Sequence, residues 1–194
     1  MSTSLADLRE LLLSEGGLIA TLVGDPDDAN GAPGGSAGAG ANAASARARE
    51  GRSPAALAAA GPRAEGRRAE YQLLVEAIYE GYLLHYGRPR VLRPQEADVG
   101  VLAGDRLYAI GLERLVALGD ADAVAELADT ITLSALAQGS GEAELAEAIW
   151  EAGARAVGWG ARAEHARAKT LVLEGSGEAL EAMRTSATPL PSTR

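Results

Sequence analysis

From about residue 63 to residue 184 the chain is a succession of segments whose apolar residues recur at helical spacing, and glycine or proline closes nearly every one. Nowhere do apolar and polar residues alternate with a period of two, so strands have no pattern to grow from. The expectation is an all-α fold, a helical bundle. Aromatic residues make up 4 % of the chain and phenylalanine is absent, which leaves Ala, Leu and Val to fill the core and calls for closely approaching helices. At 194 residues, one core with tails is the expected organisation.

The punctuation divides the chain into four regions. Residues 1–23 read as an N-terminal amphipathic helical arm. Ser4-Leu5-Ala6-Asp7 fits a capping box, and Leu5, Leu8, Leu11 and Leu12 then share a face. That leucine face suits packing on the chain's own core and also docking into a partner. Residues 24–52 are rich in Gly, Ala, Pro, Ser and Asn. They bury too little apolar surface to offset the entropy of ordering, so a disordered linker is expected, with 43–50 able to turn helical. Residues 53–186 form the helical domain and 187–194 a flexible tail.

Inside the helical domain Ser53 is placed to cap a helix that Pro54 opens, and Gly61-Pro62 closes it. A long helix over residues 63–86 carries Leu74, Val75, Ile78, Tyr79, Tyr82 and Tyr86 on one side. Glu76 and Glu80 lie on the opposite side, which reads as solvated. Gly87 and Pro89 end this helix, and residues 88–94 form a basic turn. The helix expected over 96–118 is apolar nearly all round, the mark of a helix in the middle of a bundle. Gly100, Gly104 and Gly111 share a stripe there, along which a neighbour can approach. Each costs about 1 kcal/mol of helix propensity against alanine, so packing is expected to offset it. Gly119-Asp120 supplies a turn and a cap for a helix over 121–138, with Val124, Leu127, Ile131 and Leu136 as core candidates. Further helices are expected over 142–158, 161–174 and 178–184.

A net charge of −9 argues against general nucleic-acid binding, which needs a cationic footprint. The absence of cysteine excludes a disulfide framework, a thiolate metal site and a cysteine nucleophile. The first residues, MSTSLADLRELL, lack the basic and apolar regions of a signal peptide. No run approaches the roughly 20 apolar residues of a membrane span, and a cytoplasmic protein without a transmembrane segment is expected. His85 and His165, far apart in sequence, do not make a metal site. His85 reads as a helix-end residue and His165 as exposed. Asp25, Asp27 and Asp28 imitate an aspartate-rich motif but sit in the Gly-rich linker without a scaffold. Serine and threonine are plentiful without a positioned base, so a hydrolase triad has no support.

Residues 76–118 carry the sharpest pattern. Leu83-Leu84-His85 runs straight into Tyr86-Gly87-Arg88-Pro89-Arg90-Val91, and Val101-Leu102-Ala103-Gly104-Asp105 follows. This resembles the middle of an isoprenyl (polyprenyl) diphosphate synthase. In that family Leu-Leu-His precedes an aspartate-rich DDxxD element, a Gly-Arg-Pro-x-Val loop and a helix opening with Val-Leu-Ala-Gly-Asp. The resemblance extends over roughly residues 73–182. The family's aspartates hold Mg²⁺ against the substrate diphosphate, since hard oxygen ligands one helical turn apart share a face. Here Tyr86 and Gly87 stand where the resemblance puts the first two aspartates, and no acidic residue occurs between Glu80 and Glu96. No second aspartate-rich element follows before Arg194, and the family's Gly-Gly-Lys-Arg-Leu-Arg-Pro element is not recognisable.

The resemblance thus implies a truncated isoprenoid synthase fold and a degenerate member of the family lacking both aspartate-rich motifs. The function it implies is a non-catalytic (pseudoenzyme) subunit or regulator of a polyprenyl diphosphate synthase, active in prenyl transfer only with a catalytic partner chain. No catalytic residue, metal ligand or cofactor is assigned. It also implies a remnant diphosphate-binding set of Arg88, Arg90 and Lys169, the last through Lys169-Thr170. An interface or prenyl-tunnel set would be Tyr79, Tyr82, Leu83, Tyr86, Leu102, Gly104, Asp105, Tyr108, Gly111 and Leu112. Asp105, in an apolar helix, is expected to need a partner such as Arg106, Arg88 or Arg90. The chain is expected to be a homo- or hetero-oligomer, with a catalytic polyprenyl diphosphate synthase as the hetero-partner. Two other readings stand beside this one. The first is a helical scaffold or assembly protein with no prenyl role, holding its partner through the N-terminal leucine helix. The second is an active truncated transferase that uses other acids, such as Glu76 and Glu80.

Overall fold

The computed structural model describes residues 3–24 and 53–189. Within them the helices run in chain order as α1 (Thr3–Glu15), α2 (Gly17–Thr21), α3 (Pro54–Ala60), α4 (Arg68–Tyr86), α5 (Ala97–Ala117), α6 (Ala121–Gly139), α7 (Ala143–Trp159), α8 (Ala163–Leu173) and α9 (Ala179–Ala187), with a 3-10 turn at Pro62–Ala64. Among the described residues extended pairing is confined to an antiparallel bridge between Val23 and Leu92; the chain is all-α. No described helix is long and apolar enough to cross a membrane. Of the linker expected at 24–52, residues 25–52, with Asp25, Asp27 and Asp28, lie outside the described residues, as do the last residues, 190–194; Gly24 is described and bonds to Val91.

Caps form where the sequence supplies them. Ser53 Oγ accepts from the Ala56 N–H at 3.1 Å, and the Asp120 carboxylate accepts from the Ala123 N–H at 3.0 Å. Each satisfies a first-turn amide that has no partner within its helix. At the other end of the chain, helix persists past Arg184. Ser186 and Ala187 are buried, so Ala187 closes α9 and does not open the tail. The described residues fall into two compact units, drawn from Met1–Ala56 with Ala69–Arg114 and from Leu57–Arg68 with Leu115–Arg194.

In the first unit α4 is the central helix. Tyr71, Leu74, Val75, Ala77, Ile78 and Tyr82 are buried, and so are Glu76 and Glu80, at 1 % and 0 % exposure. This corrects two expectations, that α5 holds the middle and that the two glutamates face solvent. α5 turns one face to α4 and leaves Val101 and Leu102 exposed on the other, at 45 % and 62 %. The inward face is its glycine stripe: a Cβ on Gly104 would fall 3.0 Å from the Gly81 carbonyl oxygen, and one on Gly111 would collide with Ile78. α1 lays Leu8, Leu11 and Leu12 into a cluster with Ala77, Val91, Leu92, Ala103, Leu107 and Ile110. Its leucine face is therefore part of this unit's own core. Glu15, the last residue of α1, pairs with Arg106 and Arg114 of α5 at 3.2 and 2.8 Å.

In the second unit α7 is central. From residue 145 to residue 158 every side is buried except at Glu147, Glu151 and Arg155. α6, α9 and the 3-10 turn pack on it, and α8 packs against α9 and α6. Alanine allows this closeness: Ala137, Ala146, Ala148, Ala152, Ala168 and Ala179 share the cluster with Leu133, Ile149 and Met183. At Gly61 even a methyl group does not fit, because a Cβ there would collide with the Gly158 backbone.

Gly61→Ala is therefore expected to lower the unfolding free energy by about 1–3 kcal/mol, the range for an overpacked core. Gly139 has open space around its missing Cβ, and Gly139→Ala is expected to raise stability by about 0.5–1 kcal/mol. Urea unfolding of both variants checks the contrast.

Candidate functional site

One carboxylate organises the end of α4 and the turn that follows it. The chain leaves α4 at Gly87 and turns back along it through Pro89. The N–H groups of Arg90, Val91 and Leu92 then all donate to Glu80 Oε1, at 2.7, 2.6 and 3.2 Å. Arg90 Nε donates to Glu80 Oε2 at 3.2 Å, and Arg90 Nη1 meets Glu76 Oε1 at 2.5 Å. The guanidinium also lies over Tyr79, 5.1 Å from the ring centroid. A buried carboxylate is tolerated only when donors fill its lone pairs, and the basic turn brings them. Arg93 fastens the turn from outside, donating to the carbonyls of Pro89, Arg90 and Leu92. The segment after α2 holds it from a third side: Gly24 N–H donates to Val91 O at 3.0 Å, and Arg93 N–H to Leu22 O at 2.8 Å. The turn that covers Glu76 and Glu80 is what makes their helix face interior.

Of the residues implied as a diphosphate remnant, Arg88 is exposed and Arg90 is committed to the two glutamates. Lys169 belongs to the second unit, where Glu126 Oε2 and Asp129 Oδ2 hold its Nζ at 2.9 and 2.7 Å. The tyrosines form a ladder along α4: Tyr79 stacks on Tyr82 at 5.8 Å between centroids, and Tyr82 reaches Tyr86 at 5.5 Å. Tyr82 is buried and Tyr86 is 44 % exposed. His85 stacks on Tyr108 at 5.4 Å and sets its Nε2 3.2 Å from Asp105 Oδ1. Asp105 thus has a histidine rather than an arginine beside it, and its side chain is 64 % exposed. Burial, together with the neighbouring carboxylate of Asp105 and phenols of Tyr86 and Tyr82, pushes the Tyr108 phenol well above its ordinary range. Gly104 and Gly111 are the points of close approach to α4, Leu83 and Leu112 are half-buried, and Leu102 faces outward. A groove of about 410 Å³ in this unit is bordered by Leu84, His85, Pro89, Arg93, Pro94 and Val101; no member of the implied tunnel set lines it.

The second unit holds a polar centre that the sequence reading missed. His165 is 3 % exposed, not solvated. With Ala168 and Val172 it forms the inner face of α8 at i, i+3 and i+7, while Ala166 and Arg167 face out; that period was the available signal. Its Nε2 lies 2.6 Å from Glu126 Oε1 of α6, and its Nδ1 3.2 Å from Ser186 Oγ of α9. The Ser186 hydroxyl also lies 2.8 Å from the Met183 carbonyl, so its one proton has two acceptors within reach, that carbonyl and the imidazole. The order is that of a hydrolase relay, but Ser186 is 4 % exposed and its hydroxyl is shared with a helix carbonyl. What the array does is join three helices through satisfied buried groups. Burial alone would raise the Glu126 carboxyl; hydrogen bonds and charge from His165 and Lys169 bring it below its ordinary value of 4.5.

Among the described residues no group of three or more His, Asp or Glu side chains is arranged to hold a metal ion. No protein-family model, curated protein or solved structure matches the chain.

Glu80→Ala removes the acceptor of three loop amides and is expected to lower stability by about 3 kcal/mol or more, measured by urea unfolding. For Glu126 the folded-state value lies below the unfolded one. Its contribution is complete above pH 4.5 and is lost as pH falls through the depressed value. Glu126→Gln is expected to flatten the acid limb of the stability–pH curve below pH 4.5; an unchanged limb would contradict the assignment.

Proposed function

We propose that the chain is a non-catalytic relative of isoprenyl diphosphate synthases, serving as a helical subunit or regulator of a catalytic, aspartate-bearing synthase chain. The observation that carries this reading is the use made of acids in the resembling stretch. Glu76 and Glu80 share a helix face at a one-turn spacing that suits Mg²⁺ ligation. Arg90 and the loop amides occupy both Glu80 oxygens and Oε1 of Glu76 from within the chain. A guanidinium thus stands where a divalent cation would have to neutralise the pair. An active truncated transferase relying on these acids loses its metal ligands to the same geometry.

Association is supported by the outer face of α5 and the end of α4, where Val101, Leu102 and Tyr86 stay 45 %, 62 % and 44 % exposed. Exposed apolar side chains of this kind suit cover by a partner helix. A scaffold working through the N-terminal leucine face has less to offer, since Leu8, Leu11 and Leu12 are core residues of the first unit.

A tagged chain recovered from its own cells is expected to bring a full-length synthase with it. Leu102→Glu is expected to weaken that association about tenfold or more without moving the unfolding midpoint. Purified alone, with Mg²⁺ and allylic and homoallylic diphosphates, the chain is expected to form no product. Mg²⁺-dependent product from the isolated chain, or a pull-down with no prenyl-related partner, overturns the reading.

A further inference from the structure

The chain carries a net charge of −9, and several of its cations sit beside carboxylates. Arg63 pairs with Asp120, Arg90 with Glu76 and Glu80, Arg106 and Arg114 with Glu15, Lys169 with Glu126 and Asp129, and Arg184 with Glu144. Arg155 and Arg162 belong to the second unit. They line one cavity of about 360 Å³, and among the described residues neither forms an ion pair. Arg162 donates to the carbonyls of Ser186 and Thr188 at 2.7 and 3.2 Å, which fixes its position without balancing its charge. Arg155 rests on the Trp159 ring, its guanidinium carbon 4.6 Å from the centroid. Glu151, one turn earlier on α7, makes no ion pair with it.

Glu126, the acid beside His165, is already paired. Glu126 reaches His165 and Lys169, and His165 itself forms part of the cavity lining with both ring nitrogens engaged. The cavity therefore combines two uncompensated guanidiniums with the apolar surfaces of Ala152, Ala156 and Trp159. Burial, then the neighbouring Arg162 charge, lowers the Arg155 pKa below its ordinary value, as expected where like charges share a half-buried space.

We infer that this cavity is a binding site for a small organic carboxylate with a compact apolar body. The carboxylate takes the planar fork of Arg155, which matches its two oxygens, with the Arg162 charge close by. The apolar body lies against the two alanines and the indole. Arg162 acts here as a positioning residue, held by the end of α9, and the anion supplies the counter-charge that the chain itself does not.

The test is titration of the full chain with benzoate, followed by calorimetry and by indole fluorescence. Trp159→Phe separates the cavity indole from Trp150, which is buried and outside the lining. Saturable binding with a dissociation constant of about 1 mM or tighter is expected for a ligand of this size. Benzamide, the neutral isostere, is expected to bind at least about tenfold more weakly, and inorganic phosphate, lacking the apolar body, likewise. Arg155→Gln is expected to weaken benzoate about tenfold or more, and Arg155→Lys, which keeps charge but loses the fork, by a smaller factor. Unfolding midpoints matching the unmodified chain establish that both variants fold. No saturation up to about 10 mM, equal binding of benzamide or phosphate, or unchanged affinity in folded Arg155→Gln overturns the site.

Discussion

Three consecutive amides, those of Arg90, Val91 and Leu92, lie in a turn where no helix supplies them with carbonyls, and Glu80 accepts all three. Most of the first unit depends on that arrangement. It draws the basic turn back over α4, which makes a helix with a polar face interior on every side. It positions Arg90 to neutralise Glu76 as well. It also presents Val91 and Leu92 to the segment following α2, where one antiparallel bridge, made by two backbone hydrogen bonds, binds the N-terminal part of the chain to the turn. A buried carboxylate is costly by itself and stabilising only when every donor is in place, so the turn, the glutamates and the N-terminal segment are expected to order together.

The second unit reaches the same end by different means. Its central helix is built from alanine and glycine, and helices approach until backbone nearly meets backbone at Gly61 and Gly158. Close packing of small side chains specifies little by shape. The Glu126, His165 and Ser186 contacts supply what the alanines do not, a directional link among α6, α8 and α9. The two units thus share a device, an internal acid held by an internal base.

Much of the fold was legible in the sequence, and the failures have a common cause. Helix positions followed from the apolar period and from Gly and Pro, and the caps at Ser53 and Asp120 followed from residue type alone, because those features are local. The glycine stripe of α5 correctly announced close approach. What was misread depended on side chains meeting across the chain. Glu76 and Glu80 were assigned to solvent because periodicity sees one helix at a time and cannot see a turn folding over it. His165 was assigned to solvent from its polar neighbours, although its spacing to Ala168 and Val172 marks the inner face. α5 was placed at the centre on hydrophobicity alone, while α4, with its two glutamates, holds that place in the first unit. The Arg155 and Arg162 cavity was not foreseen at all, since its residues come from α7, the approach to α8 and the end of α9.

The proposed function turns on whether Glu76 and Glu80 are fixtures of the fold. Amide hydrogen exchange at Arg90, Val91 and Leu92 measures this directly. The account predicts protection comparable to the core of α4, with exchange only when the first unit opens as a whole. Exchange at the rate of an unprotected surface loop would mean that Glu80 is free to do something else, and would contradict it.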